Sequence, residues 1–291
     1  MREVREGPQA DTSSGRCTVR PRGSQRYWTR ANQRDSFPYS STCSMSRSLL
    51  EKEYSERYVA FLDILGFSNI VSTSVASKES TATLIAAVET IGELQKQYDS
   101  LKSDDFRAQT FSDCIVMSEK ASPLGLVHLL AATTHAALSL LEIGIFIRGG
   151  FAKGLLYHSD QVVLGPAMIR AYQLESSIAR YPRILVDQST HQDSCTDAFQ
   201  KAATGWSISP RIALAEDGPP FVDIFDLTRD PAVFENGLED IEKIQKVIET
   251  ELHKSIYIPA HYEKLRWLAI YWNSVSAEFN RPLVKFPHQS A

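Results

Sequence analysis

The segment Tyr58 to Leu65 reads YVAFLDIL, apolar, β-branched or aromatic at every position but one, and it is closed by Gly66. A run with apolar side chains at both parities has no wet face, so it predicts a buried strand at the centre of a sheet. The exception is Asp63. A carboxylate placed there loses hydration unless a cation or hydrogen bonds compensate, and strands disfavour Asp in any case. Two readings follow: an acid at the strand end, salt-bridged or capping the turn before Gly66, or a functional acid held out of water for its chemistry.

Around this strand the pattern alternates. Leu84, Val88, Ile91, Leu94, Tyr98 and Leu101 recur at helical spacing. Phe106 to Phe111 and Ile115 to Ser118 form two short strands separated by Ser112, Asp113 and Cys114, a hairpin whose turn carries an acid. A helix over Leu124 to Ile143 follows, then a strand region from Ile145 to Tyr157 punctuated by Gly149, Gly150 and Gly154. Gly165 and Pro166 open a helix to about Arg180, and Arg183 to Val186 is a further strand. Phe221 to Leu227 returns as an edge strand, and two amphipathic helices follow, marked by Leu238, Ile241, Ile244 and Ile248 and by Tyr262, Leu265, Leu268, Trp272 and Val275. The aromatic stripe of the last helix reads as packing and not as a cofactor box. The order predicts an α+β sandwich, a mixed and largely antiparallel sheet with helices on one face, followed by a C-terminal helical extension.

Charge divides the chain differently. The 291 residues hold 31 Lys+Arg and 35 Asp+Glu, a formal net charge of -4, yet residues 1–44 contain eight Arg, no Lys and four acids, +4 by count, which leaves -8 on the rest. That first segment is rich in Ser, Gly and Pro and lacks periodicity, so it reads as a disordered tail or as sequence upstream of a true start at Met45. The body is read as residues 57–228 plus the extension 229–291. The acidic surplus excludes a general nucleic-acid binder. Cys17, Cys43, Cys114 and Cys195 show no CxxC spacing, which fits a reducing cytoplasm and no zinc site. No stretch reaches 18 consecutive apolar residues, so no membrane span is expected.

Several familiar sites are missing. RGGFAKG at Arg148 to Gly154 lacks the order a phosphate-wrapping P-loop needs, and there is no GxSxG, HExxH or strand-borne GxGxxG. Asp113 alone is an ordinary turn residue. Together with Asp63 it means more, because a strand-end acid and a hairpin-turn acid converge when the hairpin lies beside the first strand. Facing carboxylates repel unless protonated or bridged by a hard divalent cation, which shares its oxygen ligands with substrate phosphates.

These residues carry a resemblance. FLDILGFS at 61–68 and TFSDCIVMS at 110–118 resemble the two metal-binding elements of class III nucleotide cyclases, and RGGFAKG with LGPAMIRAYQLESSIARYPRILV at 164–186 resembles the strand and helix that complete such a catalytic domain. Within that superfamily the wording is most similar to the pyrimidine nucleotide cyclases of Pycsar antiphage systems. The resemblance implies a ferredoxin-type sandwich and a cytoplasmic homodimer with its sites at the interface. It also implies attack of the ribose 3′-hydroxyl on the α-phosphate with loss of diphosphate, supported by two Mn²⁺ or Mg²⁺ ions. By position, Asp63 and Asp113 would bind both metals, the Ile64 carbonyl one of them, and the amides of Leu65, Gly66, Phe67 and Ser68 the triphosphate. The product would be 3′,5′-cyclic UMP, read by a separate effector protein.

The departures from the purine enzymes sharpen this. Gln109 stands where they carry a base-reading Lys and Pro166 where they carry a polar base partner, so a smaller pyrimidine edge is expected, with Phe61 on the Asp63 face stacking or packing there. Ile169 and Gln173 stand where the ribose Asn and transition-state Arg belong. Positive charge for the phosphorane would then come from Arg170, Arg148 or Lys153, with Arg170 the candidate one residue out of register. The expectation is a uridylate cyclase. The alternatives are a cyclase for CTP or a purine, and a catalytically silent cyclase-like module.

Overall fold

The computed structural model describes residues 54–75, 77–100, 105–204, 211–214, 218–234 and 236–287. The predicted tail 1–44 lies outside the described residues, as do Cys17, Cys43 and Leu101. In chain order the elements are β1 (Ser55–Ile64), α1 (Phe67–Ser74), α2 (Lys78–Ser100), β2 (Arg107–Phe111), β3 (Cys114–Lys120), α3 (Pro123–Glu142), β4 (Ile147–His158), β5 (Val163–Leu164) and α4 (Pro166–Gln173). A π-helical turn, Leu174–Ile178, continues α4 and is followed by β6 (Ile184–Val186), α5 (Gln188–Ser194), α6 (Asp197–Ala203), β7 (Ile212–Leu214) and β8 (Pro220–Val222). Two 3₁₀ turns then lead to α7 (Leu238–Lys254) and α8 (Pro259–Glu278).

The sheet order is β2-β3-β1-β4-β6-β8-β7, with β5 paired to β4. β1 lies antiparallel between β3 and β4, and β3 lies antiparallel between β1 and β2. Two interlocked split βαβ units, β1 to β2 and β3 to β4, therefore make the ferredoxin-type half of an α+β sandwich. β6 extends it by pairing in parallel with β4. The double-sided apolar run is explained by this placement. Tyr58, Ala60, Leu62 and Ile64 enter the main core with α3 and the C-terminal helices, while Val59 and Phe61 enter a second cluster with Val116, Ala152, Leu156, Ala167 and Ala171. A fully buried Leu or Phe contributes about 1.5–3 kcal/mol relative to exposure, so a strand buried on both faces anchors the fold.

Several expectations are corrected. Helices cover both sheet faces, because α4 lies on the face opposite α3. Phe221 to Leu227 is not an edge strand: β8 spans three residues, Asp226–Arg229 is a 3₁₀ turn, and β7 forms the edge. The glycine-marked region is a strand as expected, β4, running continuously along β1. Its glycines permit close approach: a Cβ on Gly150 would sit 2.0 Å from the Ala171 carbonyl oxygen of α4. Helix α3 is long and apolar enough to cross a membrane by composition, but 72% of its apolar window is buried in this core.

The C-terminal helices share that core. Leu265, Leu268, Trp272 and Val275 are buried, so the aromatic stripe is packing, as expected. An ionic knot ties α8 to the end of β8: Arg229 pairs with Asp223 at 3.3 Å, Asp226 at 2.9 Å and Glu278 at 2.8 Å, and the Tyr271 hydroxyl donates to Asp223. Burial, and then the Asp223 carboxylate, push the Asp226 carboxyl up from 3.8 to about 6, against the pull of Arg211 and Arg229. A raised acid binds more protons folded than unfolded, so its contribution declines as pH rises from about 4 to about 6. Asp226→Asn is expected to be more stable than the parent at pH 7, by on the order of 2 kcal/mol, with the difference vanishing near pH 4. Denaturant melts at both pH values check this.

Candidate functional site

The site grows out of the end of β1. In register, Asp63 stands between Cys114 of β3 and Arg148 of β4. Asp113 occupies the two-residue turn of the β2–β3 hairpin behind Ser112, whose φ of 55° gives the tight reversal. The Ile64 amide donates to the Asp113 carbonyl at 3.0 Å, which pins that turn to β1. Carboxylate oxygens of Asp63 and Asp113 and the Cys114 sulfur lie within 4.8 Å of one another. The sequence-predicted convergence of the two acids is therefore present in the geometry.

Asp63 is not an unpaired buried charge. Its side chain is 17% exposed, and Arg148 Nε donates to Oδ2 at 3.0 Å. The same guanidinium pairs with Glu175 at 2.6 Å and donates from Nη1 to the Ala179 carbonyl at 3.3 Å. Burial pushes the Glu175 carboxyl up while Arg148 pulls it down. Burial, and then Asp113 and Asp63, push the Cys114 thiol up to about 12, so it stands beside the acids as a neutral thiol. The two carboxylate oxygens are the hard donors of the group, and they suit hard divalent cations such as Mg²⁺ or Mn²⁺.

Beyond the acids the chain turns through Leu65 and Gly66, whose φ of 76° lets α1 start abruptly. The Leu65 amide is spent on the Phe146 carbonyl at 2.8 Å, so of the four amides expected to face phosphates it is already committed. Gly66, Phe67 and Ser68 form the start of α1, where helix N–H groups lack intrahelical partners and favour anions.

Gln109 shares the sheet face of Asp63, in the row Gln109, Val116, Phe61, Gly150. It is 8% exposed. Its Nε2 donates to the Ser159 carbonyl at 2.8 Å, and its Oε1 is buried without a hydrogen-bond partner. Phe61 packs beneath α4, edge-to-face with Tyr172 at 5.6 Å; Tyr172 is the aromatic that reaches the surface, at 52% exposure.

Arg170 is not brought to the acids. Its Nε pairs with Asp187 at 3.1 Å, and the Asp187 amide bonds the Phe151 carbonyl. That level lies some three or four residues along β4 from Arg148, roughly 10–13 Å at strand spacing. Lys153 pairs with Asp193 at 2.9 Å. Of the three cations considered from sequence, Arg148 is the one at the acids. Cys114 and Glu175 were not anticipated. The first was legible in principle, since period-two pairing puts a residue after the turn opposite Asp63, but Glu175 sits in a π-helical turn that breaks ordinary helical spacing.

No family model matches the chain, and no curated protein matches it. Among solved structures it is similar to a class III adenylyl cyclase-like ATP-binding protein from Pseudomonas aeruginosa, with a TM-score of 0.41 and 13% identity. That similarity covers 69% of this chain and 44% of the other, so the chain spans less than half of that protein's length.

Proposed function

We propose that this protein is a pyrimidine nucleotide cyclase that converts UTP to 3′,5′-cyclic UMP and diphosphate. The observation that carries the reading is the meeting of Asp63 and Asp113, fifty residues apart, with ligand oxygens close enough to share a cation beside the uncapped start of α1. Asp63 and Asp113 would hold the divalent ions, Mn²⁺ or Mg²⁺, with the Ile64 carbonyl. When bound, such ions supply charge neutralisation and Lewis acidity at the α-phosphate. The amides of Gly66, Phe67 and Ser68 orient the triphosphate. The ribose 3′-hydroxyl gives up its proton to water as its oxygen bonds the α-phosphorus; bond breaking is between that phosphorus and the bridging oxygen that leaves with diphosphate.

Base choice falls to Gln109. With its amide nitrogen held by Ser159, it offers an acceptor, which takes a hydrogen bond from uracil N3–H or from the cytosine amino group. UTP is preferred here on the resemblance to Pycsar enzymes, with CTP the neighbouring alternative. The homodimer is supported by Ile169, Tyr172 and Ile178, exposed on and just beyond α4. Following the same resemblance, we place the enzyme in the cytoplasm, with its product acting on a separate effector in antiphage defence.

A second reading, a silent nucleotide-binding module, is favoured by one observation: Arg148 already neutralises Asp63. Incubation of the protein with each of the four NTPs and Mn²⁺, with separation of the products, decides between them. Cyclic UMP is expected as the main product. Cyclic AMP or GMP would sink the pyrimidine assignment, and no cyclic product from any NTP would leave the silent module standing.

A further inference from the structure

Beside Arg148 lies a cleft of about 370 Å³, bounded by the π-helical turn with the residues after it and by the first two turns of α8. Its walls carry Arg148, Ser177, Arg180, Tyr181, Glu263 and Lys264. Arg180 is exposed and Lys264 half-buried, and neither has an ion-pair partner among the described residues. Both cations face a space with one wall acid, Glu263, while the acids nearest Arg148 are already paired with it. The 20-residue helix α8 begins at this cleft with Pro259 in its first turn and no side-chain cap on its amides, which adds partial positive charge. The volume falls within the range of small-molecule sites and exceeds what a bare ion needs.

We propose that this cleft binds the phosphoryl group of a small ligand between Arg148, Arg180 and Lys264, and that its occupancy draws Arg148 away from Asp63. The second half rests on the metal reading given above. Arg148 is shared: Nε holds Asp63 while its other nitrogens hold the buried Glu175 and the carbonyl of Ala179, a residue of the cleft wall. A cation at Asp63 and Asp113 competes with Arg148 for the same carboxylate. An oxyanion in the cleft competes with Asp63 for the same guanidinium. Each ligand therefore relieves the other's cost, and the coupling is reciprocal. Arg148 then acts as a positioning residue, a displaceable counter-ion that weakens metal binding at the acid pair while the cleft is empty.

The test uses the full chain freed of metal, at constant ionic strength set with chloride. Sulfate, as a phosphoryl mimic that binds Mn²⁺ weakly, and UMP are titrated by calorimetry. Mn²⁺ is then titrated with and without saturating sulfate, free ion being read by electron paramagnetic resonance. Saturable sulfate binding is expected, weakened about tenfold or more in the Arg180→Ala/Lys264→Ala variant, whose altered side chains are outside the core. Mn²⁺ is expected to bind about fivefold tighter with sulfate present in the parent, and equally with and without it in the double variant. UMP binding much tighter than sulfate, and lost in the same variant, would assign the phosphoryl group to a nucleotide; equal affinities would assign a free oxyanion. Sulfate binding that ignores both substitutions would overturn the cleft, and Mn²⁺ affinity indifferent to bound sulfate would overturn the coupling. Failure of Mn²⁺ to bind under any condition would remove the metal reading and the coupling with it, while the sulfate arm still decides the cleft.

Discussion

Asp63→Asn is expected to lower cyclic nucleotide formation at least about a thousandfold, while the variant keeps the parent's circular dichroism and hydrodynamic size. The substitution preserves shape and a hydrogen-bond acceptor for Arg148, so the ferredoxin-type core has no reason to rearrange. What it removes is one of the two negative charges proposed to hold a divalent cation. Arg148 is then left with Glu175 as its ionised partner, and the modest stability change should stay within about 1–2 kcal/mol because both groups keep a hydrogen bond. Parallel activity and denaturant measurements separate the two effects. Activity retained near the parent level would remove the metal assignment, whereas loss of activity together with loss of fold would show a structural acid.

Gly150→Val is expected to destabilise the protein by about 3 kcal/mol or more and to shift α4. The Cβ alone would lie 2.0 Å from the Ala171 carbonyl oxygen and 2.8 Å from the Leu174 Cβ, so the helix must lift from the sheet. Lifting α4 exposes the cluster of Val59, Phe61, Val116 and Ala152, and disturbs the π-helical turn that carries Glu175 to Arg148. Activity and stability should fall together here, in contrast to Asp63→Asn. A denaturant midpoint unchanged from the parent would mean that α4 is held far less tightly than this packing requires.

How much of this was legible without coordinates follows from which residues speak locally. YVAFLDIL announced a doubly covered strand and an acid that needed a partner, and both are present. Asp113 and Gln109 were placed by hairpin parity, which survives any detail of packing because side-chain direction in a strand has period two. The partners of those groups were not legible, since Arg148, Glu175 and Ser159 reach them across strands or through a π-helical turn. The ion pair of Arg170 was hidden for the same reason: its partner Asp187 comes from the end of β6, invisible to spacing within α4. Helix α1 was missed because FSNIVSTS is polar and β-branched and begins without a side-chain cap. α5 and α6 are seven residues each, too short for a periodic signal, although Asp187 and Thr196 cap them as helix starts usually require. Phe221 to Leu227 misled because an apolar run cannot show that Asp223, Asp226 and Arg229 bend it into an ionic knot.

The central claim is that Asp63 and Asp113 support cyclisation of a pyrimidine nucleotide, and its most direct measurement is the product balance of UTP turnover. With Mn²⁺ present, cyclic UMP and diphosphate should appear in equal amounts, resolved by phosphorus NMR, and both should stop on addition of EDTA. UTP left unconsumed, or converted to UDP and phosphate in place of the cyclic product, would contradict the account.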